Sequence, residues 1–365
     1  MKHTPANTIN GIPLIECGGI LAIGDPHLSF VKPGRRADAG SWRDTSLDKL
    51  GQALRLAERH NWLPVILGDL FDETAEADGM RRGNKLDALL MGGLFKLLAP
   101  CTLTPFCLAG NHDLSESVLT PDTALAVTQS TGLLHAVTTS ECFAVASVGG
   151  MKVGLGGTPY GEPIPDDVSL YWPCPVDFGL WFTHADMAFP GSYPGALEFF
   201  EIAGCDMVVN GHMHLPQSPV TAGRTAWYNP GNILRTTITD KDRVPSVVSW
   251  LPGKGIETHA LDHARDAFNL SGAAAAALMP LAGGWNGMDG GWDQDGDGST
   301  PSGLHQHNSR FAGMMVDEMS GSQAPGTDDG AFLKEEIDAL AAELGTKAPV
   351  MGVLDALILS CVTVT

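Results

Sequence analysis

The sequence predicts an α/β fold built on a largely parallel β-sheet. Short apolar runs recur between residues 20 and 251, and six of them stop at a polar cluster. Stretches with apolar residues at helical spacing separate the early runs. Apolar runs bounded by turn residues read as buried strands. Strands that alternate with helices need right-handed crossovers, which make parallel neighbours.

The elements follow in order. The run Ile20, Leu21, Ala22, Ile23 ends in GDPHLS, residues 24–29. Next, SLDKLGQALRLAERH puts Leu47, Leu50, Leu54 and Ala57 on one stripe, with Asp44 or Ser46 as the helix cap. LPVIL, residues 63–67, ends in GDLFD. NKLDALLMGGLFKLL makes a second stripe from Leu86, Leu89, Leu90, Leu94 and Leu97. PFCLA, residues 105–109, ends in GNHD; GLWF, residues 179–182, in THAD. DMVV, residues 206–209, ends in NGHMH, and TAWY, residues 225–228, in NPGNILR. Strands within residues 145–155 and 244–251 lie closer together, as antiparallel neighbours do.

Past Asp262 the composition turns to Ala, Gly and Asp, which reads as linker or irregular loop to about residue 330. Residues 331–365 then read as a helical segment followed by a short apolar stretch. Within the linker, DQDGDGST imitates the start of a calcium loop, but its twelfth position is Leu304, where a bidentate Glu belongs. It reads as solvated chain.

The 365 residues carry a formal net charge of −20. Gripping duplex DNA unaided takes a surplus of basic residues, so any nucleic-acid role here must use metal ions, a local patch or a partner. No apolar run is long enough for a transmembrane helix, and no secretory signal opens the chain. Seven scattered cysteines with no CxxC pair predict free thiols in a reducing cytoplasm.

The polar clusters collect Asp25, His27, Asp69, Asn111, His112, His184, His212 and His214. Carboxylates, an amide and imidazoles without a thiol suit divalent ions such as Mn²⁺, Fe²⁺ or Zn²⁺. There are too many ligands for one ion, but enough for two that share a carboxylate. Two ions roughly 3.5–4 Å apart clamp a phosphate and activate a water. Ligands in such folds bind at the carboxyl ends of strands, where all six clusters fall. Asp25 and His27, two apart on an extended backbone, would reach one ion from the same side. The remaining histidines, among them His60, His135, His259 and His263, lack partners at ligand spacing.

The ordered set D-x-H, G-D-x-x-D, G-N-H-D, T-H-x-D and G-H-x-H resembles the calcineurin-like metallophosphoesterase superfamily over about residues 20–251. Within it, GDPHL, GDLFD, GNHD, THAD, GHMH and NPGNILR are most similar to the SbcD-type nuclease subunit of double-strand-break repair. The resemblance implies a four-layer α/β/β/α sandwich with mixed sheets over residues 1–262, before the linker, residues 263–330. It implies that Asp25, His27 and His214 hold one metal, that Asn111, His184 and His212 hold the other, and that Asp69 bridges them. The ions would be Mn²⁺, with Fe²⁺, Zn²⁺ or Mg²⁺ as alternatives, and a hydroxide between them the nucleophile. His112 would serve the transition state or the leaving oxygen, oriented by Asp113. Asp72 reads as support for its loop. Arg235 is a candidate contact to substrate phosphate, or a surface ion pair. The implied activity is hydrolysis of DNA phosphodiesters, with a nucleotide or other small phosphoester as the alternative. The implied partners are DNA and an SbcC-like coiled-coil ATPase, without a membrane; a homodimer is the default assembly.

Overall fold

The computed structural model describes residues 7–269, apart from residues 35, 38–39, 73, 76–80, 83–86, 116–117, 193–194 and 266. The chain divides into two units, Met1–Asp317 and Glu318–Thr365. The second unit, with the expected helical segment, lies outside the described residues, as do the calcium-loop mimic and the expected linker beyond residue 269.

In chain order the strands are β1 (Thr8–Ile9), β2 (Ile12–Cys17), β3 (Gly19–Ile23), β4 (Trp62–Ile66), β5 (Thr74–Ala75), β6 (Arg81–Arg82), β7 (Phe106–Leu108) and β8 (His135–Val137). They continue with β9 (Glu141–Val148), β10 (Met151–Thr158), β11 (Phe178–Thr183), β12 (Met207–Asn210), β13 (Gln217–Ala222), β14 (Thr225–Asn229), β15 (Ser246–Leu251) and β16 (Gly255–Ala260). The helices are α1 (Trp42–His60), α2 (Ala88–Leu98) and α3 (Ala124–Ser130).

Two mixed sheets result. One runs β16-β15-β3-β4-β7-β8, the other β1-β2-β9-β10-β11-β12-β14-β13. In the first, β3, β4, β7 and β8 are parallel and β15 is antiparallel to β3. In the second, β10, β11, β12 and β14 are parallel, while the β9–β10 and β13–β14 pairs are antiparallel. The close pairs read from residues 145–155 are thus antiparallel neighbours, because a two-residue turn cannot make a parallel crossover.

Alternation along each strand builds the layers. Ile20 and Ala22 of β3 face the second sheet, meeting Leu155, Leu180, Phe182 and Val209 in a core between the sheets. Leu21 and Ile23 face the other way, onto α1 and α2 through Leu50, Leu54, Leu90 and Leu94. On the far side of the second sheet, Trp181, Val208 and Trp227 are covered by Val168, Met187, Phe189 and Ile202. Among the described residues that covering layer is irregular chain and 3-10 turn rather than α-helix. No helix of the described residues is long and apolar enough to cross a membrane.

Three local expectations shift. Helix α1 starts at Trp42 with Ser41 at the cap, so Asp44 and Ser46 lie inside it. The buried Trp42 ring, under the Arg36 guanidinium, anchors the earlier start. The α2 face turned inward is Leu90, Met91, Leu94 and Leu98, and Leu89 is 67% exposed. Asp87 caps that helix by accepting from the Leu90 N–H at 2.7 Å. Finally, packed chain continues past residue 262: Ala267 and Phe268 are buried, and the Ala37 N–H donates to the Ala267 carbonyl at 2.9 Å.

Candidate metal centre

All the ligand candidates sit just past the carboxyl ends of parallel strands. Asp25 and His27 follow β3, and Asp69 and Asp72 follow β4. Asn111, His112 and Asp113 form a 3-10 turn after β7. From the second sheet, His184 follows β11, and His212 and His214 follow β12.

Backbone bonds lock these loops together. The His27 N–H donates to the Asp69 carbonyl at 2.9 Å, and the Asp72 N–H to the Leu28 carbonyl at 3.1 Å. The His112 N–H donates to Asp69 Oδ1 at 2.8 Å. Across the second sheet, Asn210 Oδ1 accepts from Thr183 Oγ1 at 2.7 Å and from the Ala185 N–H at 3.2 Å. Three non-glycine residues here take left-handed backbone: His27 (φ 39°), Asp69 (φ 45°) and His212 (φ 68°). Such positions cost about 1–3 kcal/mol each and concentrate at functional sites. His27 therefore reaches the cluster through a left-handed turn, in place of the extended Asp-Pro-His run expected.

Three candidate groups result among the described residues, one of them His27, Asp72 and His112 from the loops of the first sheet. Asp25, His27 and His214 bring one ligand atom each within 4.8 Å of one another, and Asp69, His184 and His212 do the same. Asn111 Oδ1 joins the second, 3.2 Å from His184 Nε2 and 3.0 Å from His212 Nδ1. Asp69 Oδ2 lies between the groups, 3.3 Å from His184 Nε2 and 3.7 Å from His27 Nε2. His184 Nδ1–H donates to the Leu67 carbonyl at 2.8 Å, which leaves Nε2 facing the cluster.

The donors fit divalent cations. Both carboxylate oxygens of Asp25 are buried without a hydrogen-bond partner among the described residues. An uncompensated buried carboxylate is costly, and a metal ion is the partner this donor set suits. The Nε2 atoms of His27 and His214 face each other 2.9 Å apart, a pair that a shared cation would suit.

Electrostatics divides the cluster. Burial raises the Asp25 carboxyl above its usual range. Burial opposes charge on Asp69 too, but His184 and His27 hold that carboxyl well below its usual range. Burial also opposes charging of His27 and His184, yet neighbouring carboxylates bring both up to about 9. Burial and the neighbouring imidazoles push His212 down to about 4, and hold His214 well below its usual value.

His112 stands beside these groups, and the carboxylate that reaches its ring belongs to Asp72, with Oδ1 3.2 Å from Nδ1. Asp113 was expected there. Its buried carboxylate instead accepts from the N–H groups of Leu70 (3.2 Å), Phe71 (3.1 Å) and Gly110 (3.0 Å), joining two ligand loops. Arg235 is also displaced from the expected role. Its buried guanidinium donates to the Lys241 carbonyl at 2.8 Å and to that of Ala264, and lies over Phe268. It ties the segments at Lys241 and Ala264 to its own loop. Four other histidines pack elsewhere: His60 on Trp62, His135 on Phe106, His259 on Ser249 and His263 on the Leu261 carbonyl. Sequence reasoning passed over Asn210, visible only as the residue before G-H-x-H. It also passed over Arg243, which donates to the Asn232 carbonyl at 2.7 Å and to that of Leu234.

Among solved structures the chain is similar to TT1561 of Thermus thermophilus, at 13% identity and a TM-score of 0.38 over 67% of this chain and 99% of that one. It is similar to a 5'-nucleotidase precursor from Thermus thermophilus at 16% identity and TM-score 0.38, over 73% and 58% of the two chains. A 5'-nucleotidase from Candida albicans matches at 13% identity and TM-score 0.37, over 76% and 58%. No curated protein matches the chain. The family model for calcineurin-like phosphoesterases matches residues 19–216, more than half the chain. That span contains both ligand groups, Asn111 and the Asp72–His112 pair. The chain therefore belongs to the calcineurin-like phosphoesterases, metal-dependent hydrolases of phosphate esters.

Proposed function

We propose that the protein is a two-metal phosphodiesterase that hydrolyses phosphodiester bonds in DNA. The observation that carries the hydrolytic reading is the pair of buried ligand groups that meet at Asp69, with His112 beside them. Asp25, His27 and His214 would hold one ion, Asn111, His184 and His212 the other, with Asp69 between. When bound, two divalent ions neutralise phosphate charge and lower the pKa of a water that serves as nucleophile.

The chain's own residues supply orientation and a proton. Asp72 holds the His112 ring by Nδ1. Although burial opposes charge, Asp72 and Asp69 raise the His112 pKa, which keeps a proton for the leaving oxygen or a hydrogen bond for the phosphoryl group. The left-handed turns at His27, Asp69 and His212 fix the ligands before substrate arrives.

The DNA part of the reading rests on the resemblance of GDPHL, GDLFD, GNHD, THAD, GHMH and NPGNILR to the SbcD-type nuclease. That type works with a coiled-coil ATPase, and such a partner would supply the cations this chain lacks. A nucleotide or other small phosphoester is the second reading, favoured by the net charge of −20.

The test is Mn²⁺-dependent hydrolysis of labelled single- and double-stranded DNA beside bis-p-nitrophenyl phosphate, with Asn111→Ala and His112→Ala proteins as controls. Cleavage of DNA that both substitutions abolish is the expected outcome. Cleavage of the small diester alone selects the second reading. Two bound ions with no cleavage of either overturns the catalytic assignment.

A further inference from the structure

Tyr160 belongs to neither ligand group, yet it stands against one of them. It follows β10, and its N–H donates to the Ala109 carbonyl at 2.9 Å, so its loop is tied to the start of the Asn111 turn. Its ring centroid lies 5.7 Å from that of His212, tilted by 38°, and 6.2 Å from that of His184, at 74°. These two imidazoles belong to the Asp69 group. Tyr160 nevertheless remains 38% exposed and joins none of the three apolar cores of the described residues. An aromatic ring held partly open beside metal-binding imidazoles is available to a ligand.

The surroundings point to the same kind of contact. Phe30 and Val31, just after His27, are exposed, as is Leu215, next to His214. The segments leaving the ligands thus offer apolar surface. With a net charge of −20, uncharged contacts are one source of binding energy beyond the phosphate. Every nucleobase has a π-face, and stacking on an aromatic side chain is independent of sequence. A base inside a duplex has both faces occupied by its neighbours.

We propose that Tyr160 positions the nucleoside of the substrate by stacking with an unpaired base beside the scissile phosphate. The proposal rests on the phosphodiesterase reading and narrows it to phosphodiesters that carry an unpaired nucleoside. A single-stranded end of DNA and a free nucleotide share that chemistry.

The test compares wild type, Tyr160→Ala and Tyr160→Trp as full-length, Mn²⁺-loaded proteins. Two substrates share a leaving group: thymidine 5'-p-nitrophenyl phosphate and methyl p-nitrophenyl phosphate. Tyr160→Ala is expected to raise KM for the nucleoside ester by about 5- to 150-fold, the range of one base stack, with kcat nearly unchanged. The methyl ester should be unaffected, and Tyr160→Trp should restore KM. Equal losses on both esters, or fewer bound ions, would mean that the ring only supports the imidazoles, and would overturn the proposal. Binding of thymidine 5'-monophosphate against inorganic phosphate, by calorimetry, separates this result from the fate of the parent reading. If wild type cleaves neither ester, the phosphodiesterase reading fails. The nucleoside preference in binding, and its loss in Tyr160→Ala, still decides the role of Tyr160. Single-stranded oligonucleotides and thymidine monophosphate as competitors then distinguish a strand end from a free nucleotide.

Discussion

At Gly110 the ligand loops touch so closely that no side chain fits. A Cβ there would lie 2.1 Å from Asp69 Oδ1 and 2.2 Å from the Asp69 nitrogen. Gly110→Ala must therefore move the carboxylate that lies between the two ligand groups. The expected result is a protein with normal far-ultraviolet circular dichroism, fewer than two bound Mn²⁺ ions by elemental analysis and a rate lower by about 100-fold, the cost of an ångström-scale displacement. Two ions and an unchanged rate would show that Asp69 does not need its present position. At this scale the candidate ligands that the fold brings together were readable because each lies in a short local word that ends a strand, such as Asp25-Pro26-His27 or Gly211-His212-Met213-His214. Asp113 and Arg235 were misread because some of their partners are remote. Leu70 and Phe71 lie more than forty positions from Asp113, and Ala264 lies 29 from Arg235. Tyr160 carries no such word; only the folded loop places its ring against His212.

At the scale of an element, α2 shows what periodicity decides and what it leaves open. Spacings of three and four announced a helix, but did not say on which side of Leu90 the buried face continues. Packing against α1 and the first sheet selects Leu90, Leu94 and Leu98. Leu94→Ala should cost about 2–5 kcal/mol in urea unfolding, because it opens a cavity in the close-packed layer. Leu89→Ala should change stability by less than about 0.5 kcal/mol, as surface substitutions do. Comparable losses at the two positions would mean that the helix is turned otherwise. The start of α1 was missed for a related reason. A buried Trp42 at the first turn outweighs the preference of Asp44 and Ser46 for a cap.

Across the whole molecule, the strand order inside each sheet was the least legible feature. Which strands pair, and that β2 joins the second sheet while β3 joins the first, is settled by packing between layers rather than by local pattern. Burial on this scale also governs the thiols. Desolvation pushes Cys142 and Cys205 up to about 12, and Cys17 up to about 11. The thiolate is the reactive form, so a raised pKa leaves almost none of it at pH 8. Iodoacetamide at that pH should label the half-buried Cys174 in the folded protein, and Cys17, Cys142 and Cys205 only after denaturation, read by peptide mass spectrometry. Labelling of Cys142 as fast as Cys174 would show that the sheet opens readily.

Two of the three candidate groups draw on both sheets: Asp25 and His27 meet His214, and Asp69 meets His184 and His212. The first sheet alone offers the His27, Asp72 and His112 group, whereas the other two groups need residues of the second sheet, and His27 meets His214, 187 positions later in the chain. A nascent chain leaving the ribosome therefore carries no working site until His214 has emerged and the sheets have closed on each other. Hydrolytic competence arrives with the finished tertiary structure, so fragments and folding intermediates are harmless to the phosphate esters around them.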